Sequence, residues 1–238
     1  MQNYGSKHED YFSAARRDIE ALLPVHAARV LEIGCGSGVT LAWLKSSGRA
    51  GFAAGVELHE PAFRAARAVA DACFRMNVET DPMPAGLGRF DLVLCLDVLE
   101  HLLDPWAVVD RLVREQLDAG GTLIVSVPNV RHYSVLLPLA FRGRWEYSDR
   151  GLLDRTHLRY FTHRSALQLL DHPLLGPARC LRPGLDAPAP WSAKRLFDRL
   201  TLGLFRELLA YHYLLAAQKR SDAELQQMTP PPRQTSPS

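Results

Sequence analysis

An acid and three alternating glycines, Glu32-x-Gly34-x-Gly36-x-Gly38, are the residues of this chain best suited to hold a ligand. Alternating glycines let the backbone turn tightly and approach a ligand closely. Counted from Gly34, the dinucleotide-binding fingerprint needs a glycine at its sixth position, where this chain has Val39. Glu32 would repel a pyrophosphate, whereas it suits a cationic amine. The loop therefore favours a ligand with an ammonium group and no phosphate.

A second acid, Glu57, follows the apolar run 52–56, about nineteen residues after the glycine loop. A carboxylate at the end of a strand can accept hydrogen bonds from both ribose hydroxyls of an adenosine. Nicotinamide enzymes carry an acid at this place as well. Glu57 therefore indicates a ribose without choosing between cofactors.

These side chains need a scaffold, and the apolar pattern of the sequence supplies one. Residues 30–33 predict a buried strand, and residues 40–44 predict a helix that ends near Gly48. Further runs of strand type lie at residues 52–56, 73–76, 90–96 and 121–127. Alternating strand and helix patterns predict an α/β fold in which a parallel sheet carries helices on both faces.

Four elements in order between residues 29 and 129 resemble those of the class I S-adenosylmethionine-dependent methyltransferases. They are the glycine loop, the acid Glu57, the segment from Phe90-Asp91 to Leu99-Glu100-His101, and the strand before Pro128-Asn129. Residues 154–162 resemble a segment of bacterial methyltransferases of types 11, 12 and 23, which are linked to glycan and small-molecule modification. The resemblance implies a Rossmann-like sheet of seven mostly parallel strands with an antiparallel last strand. That strand is expected within 208–218, although its composition would also allow a helix.

The resemblance implies that the cofactor is S-adenosylmethionine, which has an ammonium group and no phosphate. The residues assigned to its site are Arg16, Glu32, Gly34, Cys35, Gly36, Gly38, Glu57, Leu58, Asn77, Val78 and Asp97. An amphipathic helix over residues 8–22 is expected to cover the cofactor, with Arg16 either paired with the methionine carboxylate or solvated. Asn77 stands where the family usually has an acid, so it either reads the adenine amine or belongs to a turn.

The long connection 130–162 is expected to be a lid or a substrate-binding insertion. His157 within it is the candidate general base, because imidazole titrates near neutral pH. The alternative is a histidine that only orders the lid through a backbone hydrogen bond. The implied reaction is methyl transfer, with an oxygen of a small molecule or of a glycan precursor as the acceptor.

Asp97, Glu100 and His101 are spaced i, i+3, i+4 and offer oxygen and imidazole ligands. Ubiquinone-biosynthesis O-methyltransferases and small-RNA 2′-O-methyltransferases have a similar acid-x-x-Glu-His motif that binds a divalent metal, the latter with a later histidine. Many relatives share Leu-Glu-His without a metal, and we expect none here. The alternative is a metal site formed by Glu100, His101 and His157.

Two other functions use a similar fold. A nicotinamide-dependent oxidoreductase is disfavoured by Val39 and Glu32, for the reasons given above. A non-catalytic methyltransferase-like partner or regulator would have lost its donor site. The intact glycine loop and Glu57 argue against that loss.

The composition narrows the choice of partners. The net charge of +2, from 28 basic and 26 acidic residues, gives no reason to expect nucleic-acid binding. Residues 131–164 hold seven arginines against three acids, which suits either an anionic substrate or a solvated face. The four cysteines lack metal-ligand spacing, and no apolar leader or membrane-length run is present, so a cytoplasmic protein is expected.

The predicted organisation is one domain over residues 1–220, followed by a disordered tail over 221–238 that is rich in Pro, Gln, Ser and Thr. Residues 191–205 have the spacing of an amphipathic helix with basic residues between its apolar ones. We expect this helix to pack on the domain, and contact with a membrane surface is the alternative. The sequence predicts no oligomeric state.

Overall fold

A computed structural model describes residues 15–186 and 192–228, and its core is a single sheet of seven strands. The strands are β1 (Ala27–Ile33), β2 (Ala50–Val56), β3 (Ala72–Phe74), β4 (Phe90–Leu96), β5 (Leu117–Pro128), β6 (Arg179–Leu181) and β7 (His212–Gln218). Their order in the sheet is β3-β2-β1-β4-β5-β7-β6. Strands β1 to β5 run parallel, whereas β7 runs antiparallel to both β5 and β6. The predicted fold and its antiparallel last strand are confirmed.

Helices cover both faces of this sheet. They are α1 (Val39–Ser46), α2 (Glu60–Ala66), α3 (Pro105–Arg111), α4 (Tyr133–Arg142), α5 (His163–Gln168), α6 (Ala193–Leu200), α7 (Arg206–Leu209) and α8 (Asp222–Met228). Neighbouring residues of β1 enter different apolar clusters, because successive strand side chains point to opposite faces. Leu31 packs in the cluster that contains Val108 of α3, and Val30 packs in the cluster that contains Leu41 of α1.

The central position of β1 explains why an acid of the glycine loop is buried. Strand β1 lies between β2 and β4, and Glu32 is in register with Gly55 on one side and Leu94 on the other. Only 3% of Glu32 is exposed. Since the three strands are parallel, their carboxyl ends meet at one edge, which is where open α/β sheets bind ligands.

The segment before β1 and the connection after β5 differ from the sequence prediction. Of the helix predicted over residues 8–22, residues 8–14 lie outside the described part, and Arg17–Leu22 form a 3₁₀ helix. The connection 130–162 is not irregular throughout, because ten of its residues form α4. This helix starts at His132, whose side chain accepts a hydrogen bond from the Ser134 N–H, and stops at Gly143 in the left-handed conformation.

The C-terminal segments also need correction. The last strand begins at His212, and the short helix α7 occupies the start of the segment predicted as a strand. Residues 222–228, predicted to be disordered, form α8. Its start is a capping box, in which the Glu224 N–H donates to the Ser221 hydroxyl oxygen and the Ser221 N–H donates to the Glu224 carboxylate. Residues 229–238 lie outside the described part.

The helices in the described ranges, 15–186 and 192–228, are all too short or too polar to cross a membrane.

Candidate functional site

A cavity of about 280 Å³ lies at the carboxyl ends of β1, β2 and β4. Ten of the eleven residues predicted for the cofactor line it, namely Arg16, Glu32, Gly34, Cys35, Gly36, Glu57, Leu58, Asn77, Val78 and Asp97. The remaining one, Gly38, is the N-terminal cap of α1. Residues that are far apart in the sequence thus meet at one edge of the sheet.

The glycine loop is a compact turn that leaves backbone exposed to the cavity. Gly34, Gly36 and Gly38 have φ angles of 68°, 55° and 79°, values that residues other than glycine rarely adopt. The N–H groups of Gly34 and Cys35 both donate to the carbonyl of Val56 at the end of β2, at 2.8 and 3.1 Å. These bonds tie the loop to the neighbouring strand.

Glu57 fastens the same loop from the end of β2. One carboxylate oxygen accepts the Gly36 N–H at 2.9 Å, and the other accepts the His59 N–H at 2.8 Å. The residue is buried and lines the cavity. Since each carboxylate oxygen has two lone pairs, Glu57 keeps acceptor capacity for a ribose diol.

Glu32 presents a buried carboxyl group to the cavity. Its Oε2 atom has no hydrogen-bond partner among the described residues, while the Thr40 side chain hydrogen-bonds the carboxyl group. Burial raises the pKa of Glu32 to about 8, which the charge of Arg16 opposes and that of Glu57 reinforces. An acceptor oxygen without a partner in a cavity wall suits a cationic amine.

Arg16 and Asp97 both line the cavity and are held in one hydrogen-bonded network. The Arg16 guanidinium pairs with Asp97, and it also donates to Asp18 and to the Ser126 hydroxyl, both at 3.0 Å. Asp97 accepts a further bond from Ser126 at 2.5 Å. Arg16 is thus held at the cavity by protein carboxylates, with about a fifth of its side chain exposed. Its pairing with the methionine carboxylate stays a prediction.

Asn77 lines the cavity and also forms a turn. Its side-chain oxygen accepts the Glu79 N–H at 2.9 Å, and its own N–H donates to the Asp81 carboxylate at 2.8 Å. The turn proposed as one alternative is therefore present. Contact with adenine stays a prediction, which the position of Asn77 in the cavity wall allows.

Two histidines, His59 and His101, line the cavity, whereas His157, the predicted base, does not. His157 is buried behind His101, with the two ring centroids 4.8 Å apart. The Nδ1 of His157 lies 3.2 Å from the Leu152 carbonyl, and the Nδ1 of His101 lies 3.1 Å from the Thr156 carbonyl. A carbonyl only accepts, so we assign the proton to Nδ1 in both rings, which leaves each Nε2 a lone pair.

The segment that carries His157 is tied to the loop after β4. The N–H groups of Leu158 and Arg159 donate to the Glu100 carbonyl at 2.8 and 3.0 Å. These bonds place His157 below His101 and explain why it misses the cavity. The role of His157 as the base stays a prediction, and His101 is the member of this pair that lines the cavity.

The donor set for a divalent metal is present in part. Ligand atoms of Glu100, His101 and His157 lie within 4.8 Å of one another, and all three residues are buried. A carboxylate and two imidazoles whose Nδ1 protons are held by carbonyls suit a divalent transition-metal ion. Asp97 does not join this set, because Arg16 and Ser126 hold it. The residues named in the metal alternative therefore fit an ion.

Comparisons with known proteins agree with this geometry. A family model described as a methyltransferase domain matches residues 8–172. The chain is similar to a ubiquinone biosynthesis O-methyltransferase of Thiobacillus denitrificans, with 29% identity over 126 residues that cover 51% of this chain and 53% of the relative. A protein of the same name from Cereibacter sphaeroides is 34% identical over 116 residues, which cover 48% of this chain and 46% of the relative. The chain thus spans about half the length of these two relatives.

Solved structures share the fold. A structure described as a SAM-dependent methyltransferase from Archaeoglobus fulgidus superposes with a TM-score of 0.60 at 16% identity, and the match covers 91% of this chain and 97% of that one.

Proposed function

This chain belongs to the class I S-adenosylmethionine-dependent methyltransferases, and we propose that it transfers the methyl group of that cofactor to an oxygen of a small molecule or glycan precursor. The names of the curated relatives, which are O-methyltransferases, support transfer to oxygen. The observation that carries the proposal is the cavity in which the glycine loop lies between two carboxylates, Glu32 and Glu57. Glu32 can accept hydrogen bonds from the ammonium group of the cofactor, and Glu57 can accept them from its ribose hydroxyls. The glycines between them have no side chains that would obstruct the cofactor.

Each wall of the cavity has a part in this proposal. Glu32 binds the ammonium group, because its free oxygen lies in the cavity wall. Glu57 accepts the ribose hydroxyls, and Asn77 with Val78 contacts the adenine. The irregular part of the connection, residues 143–162, selects the acceptor. Trp145 and Tyr160 make an edge contact within it, with centroids 5.2 Å apart, and form an aromatic surface for that role.

Methyl transfer is an in-line displacement. The acceptor oxygen forms a bond to the methyl carbon, the carbon–sulfur bond breaks, and its electron pair stays on sulfur as the positive charge disappears. Alignment of the two reactants at about 3 Å supplies much of the rate enhancement. The hydroxyl proton must also leave. We assign it to His101, which lines the cavity and whose ring packs against that of His157.

Calorimetry with S-adenosylhomocysteine tests the cofactor assignment. We expect a dissociation constant in the micromolar range, with NAD⁺ at least about a hundredfold weaker, since the cavity has no feature for a pyrophosphate. Transfer of a tritiated methyl group to fractionated cell extracts then identifies the acceptor. Binding of NAD⁺ without S-adenosylhomocysteine would contradict the proposal. Tight binding without transfer to any extract would instead favour the non-catalytic partner.

The metal alternative is a second candidate for the same reaction, because the donor set of Glu100, His101 and His157 fits an ion. A bound divalent ion would supply Lewis acidity that lowers the pKa of an acceptor hydroxyl. His101 and His157 would then have equal importance as ligands. With His101 as the base, His157 would only position it.

Variants of the two histidines distinguish these mechanisms. With His101 as the base, His101→Asn is expected to lower the rate of methyl transfer by about 10²–10⁴-fold, and His157→Asn by no more than about tenfold. With a metal, both variants lose transfer to the same degree. Calorimetric titration with Mn²⁺ supplies a readout that does not depend on activity. Heat of binding that disappears in both variants would establish the metal, and its absence in the wild type would exclude that alternative.

A further inference from the structure

One face of the molecule exposes apolar side chains that no described element covers. It consists of α4 and the segment from α6 to α7, and we call it the α4/α6–α7 face. Its most exposed apolar residues are Phe141 at 81%, Leu200 at 74%, Leu202 at 95% and Leu204 at 79%. Isolated apolar residues are common on protein surfaces, whereas a contiguous set marks an interaction site.

The parts of this face are physically joined. Arg206 of α7 pairs with Asp198 of α6 at 2.7 Å, and the rings of Phe197 and Phe205 lie 5.8 Å apart. Helix α7 also contacts α4. Burial, with a smaller contribution from the charge of Lys194 in α6, lowers the pKa of His132 at the start of α4 to about 4. The three helices therefore present one continuous surface.

The turn between α6 and α7 exposes the side chain of Leu202. Leu202 follows α6 with a φ of 52°, a left-handed conformation that is unusual for a non-glycine residue. The conformation is held by bonds to α6, as the Leu202 N–H donates to the Arg199 carbonyl and the Gly203 N–H donates to the Asp198 carbonyl at 2.8 Å. A leucine in a strained turn with 95% of its surface exposed gains nothing from the fold. The exposure of this leucine is explained if its side chain inserts into an apolar environment outside the protein.

Charge separates this face from the rest of the chain. Residues 131–144 and 192–209 contain seven Lys and Arg residues and two acids, Asp198 and Glu207, for a net charge of 7 − 2 = +5. The whole chain carries +2, so the remaining residues sum to 2 − 5 = −3. Asp198 is buried in its ion pair with Arg206, and Glu207 pairs with Arg182. Apolar side chains surrounded by basic ones are the pattern of a helix that lies in the interface of an anionic bilayer.

The face also lies at the edge of the sheet that holds the cavity. Helix α4 follows the carboxyl end of β5, and α7 precedes β7, where Pro128 is in register with His212. The cavity occupies the carboxyl ends of β1, β2 and β4, which are parallel to β5. We propose that the α4/α6–α7 face docks on an anionic membrane surface, with the exposed leucines and Phe141 in the interface and the basic residues against the headgroups.

Flotation with lipid vesicles tests this proposal without any knowledge of the acceptor. The full chain is mixed with vesicles of phosphatidylcholine alone or with about 30% phosphatidylglycerol, at low and high salt. We expect at least tenfold stronger binding to the anionic vesicles, and we expect 0.5 M NaCl to remove most of that difference, because salt screens the headgroup charge. Equal binding to both vesicle types, or binding to neither, would overturn the proposal.

A matched pair of variants assigns the binding to this face. Leu200→Ser combined with Leu202→Ser changes two side chains that are 74% and 95% exposed, so the fold should persist. This variant is expected to bind anionic vesicles at least tenfold more weakly. Val25→Ser changes a side chain that is 95% exposed just before the amino end of β1, away from the carboxyl ends of the strands, and it should bind as the wild type does. Unchanged binding by the double variant would overturn the proposal. So would a wild type that binds no vesicle but self-associates through these leucines in light scattering, which would make the face a protein interface.

Discussion

Replacing Glu57 by glutamine is expected to weaken the binding of S-adenosylhomocysteine by roughly ten- to a hundredfold, since hydrogen bonds to charged groups are worth about 1.5–3 kcal/mol. The two carboxylate oxygens of Glu57 accept the N–H groups of Gly36 and His59. An amide has one oxygen only, so its NH₂ group would face one of these donors. The variant thus loses the charge that the ribose diol needs and disturbs the glycine loop at the same time.

Calorimetry measures the change in affinity, and circular dichroism verifies that the variant is folded. Glu115→Gln is the matched control, because Glu115 is exposed beyond the end of α3 and does not line the cavity. It should leave the dissociation constant unchanged. An affinity of Glu57→Gln within about threefold of the wild type would remove Glu57 from the cofactor site.

The residues that line the cavity could be predicted because their determinants are local. The acid and glycines from Glu32 to Gly38 are contiguous, and the apolar run on each side shows that a strand delivers them. The carboxyl ends of parallel strands then bring Glu57 and Asn77 to the same place without further information. Gly38 is the exception, because it does not line the cavity and its role depends on packing between helices. Its φ is 79°, and a Cβ atom would lie 2.7 Å from the Val69 side chain, so packing of α1 on the end of α2 requires this glycine.

The acceptor side was harder to predict, because it depends on contacts between distant segments. His101 and His157 are separated by more than fifty residues, and both belong to motifs that suggested chemistry. Which ring reaches the cavity is decided by the bonds from the Leu158 and Arg159 N–H groups to Glu100. No periodicity or spacing encodes that packing. The position of His101 at the carboxyl end of a strand was the only local sign.

Two helices were missed although their ends were marked in the sequence. Gly143 directly follows α4 and adopts φ 61°, which is the usual way for a helix to stop. Ser221 and Glu224 have the spacing of a capping box before α8. In both places a compositional argument, for a lid or for a disordered tail, outweighed a local signal. Capping residues satisfy the backbone hydrogen bonds at the ends of a helix, so they predict α4 and α8 better than composition does.

The stability of the ligand-free protein is expected to fall between about pH 5 and pH 8 by an amount that Glu32→Gln removes. Burial raises the pKa of Glu32 from 4.5 to about 8 in the folded chain. Between these values the folded chain keeps the proton and the unfolded chain has released it. Unfolding therefore releases a proton, and rising pH favours it. Melting temperatures of wild type and variant are measured across this range. Their difference at each pH isolates the contribution of Glu32, because the histidines contribute equally to both proteins.

Cofactor binding should show the opposite dependence on pH, because the ligand needs the ionised form of the same carboxyl. S-adenosylhomocysteine brings an ammonium group to Glu32, so binding below about pH 8 must release the Glu32 proton. The affinity then rises by up to about tenfold per pH unit as the pH approaches 8 and levels off above it. Calorimetry in buffers of different ionisation enthalpy counts the released proton, and Glu32→Gln should release none. A wild type that binds equally well at pH 6 and pH 8, or a variant with the same slope, would show that another group holds the ammonium. The two measurements have opposite signs only if one buried carboxyl is protonated in the empty cavity and ionised in the occupied one, so together they test its role more strictly than a loss of affinity does.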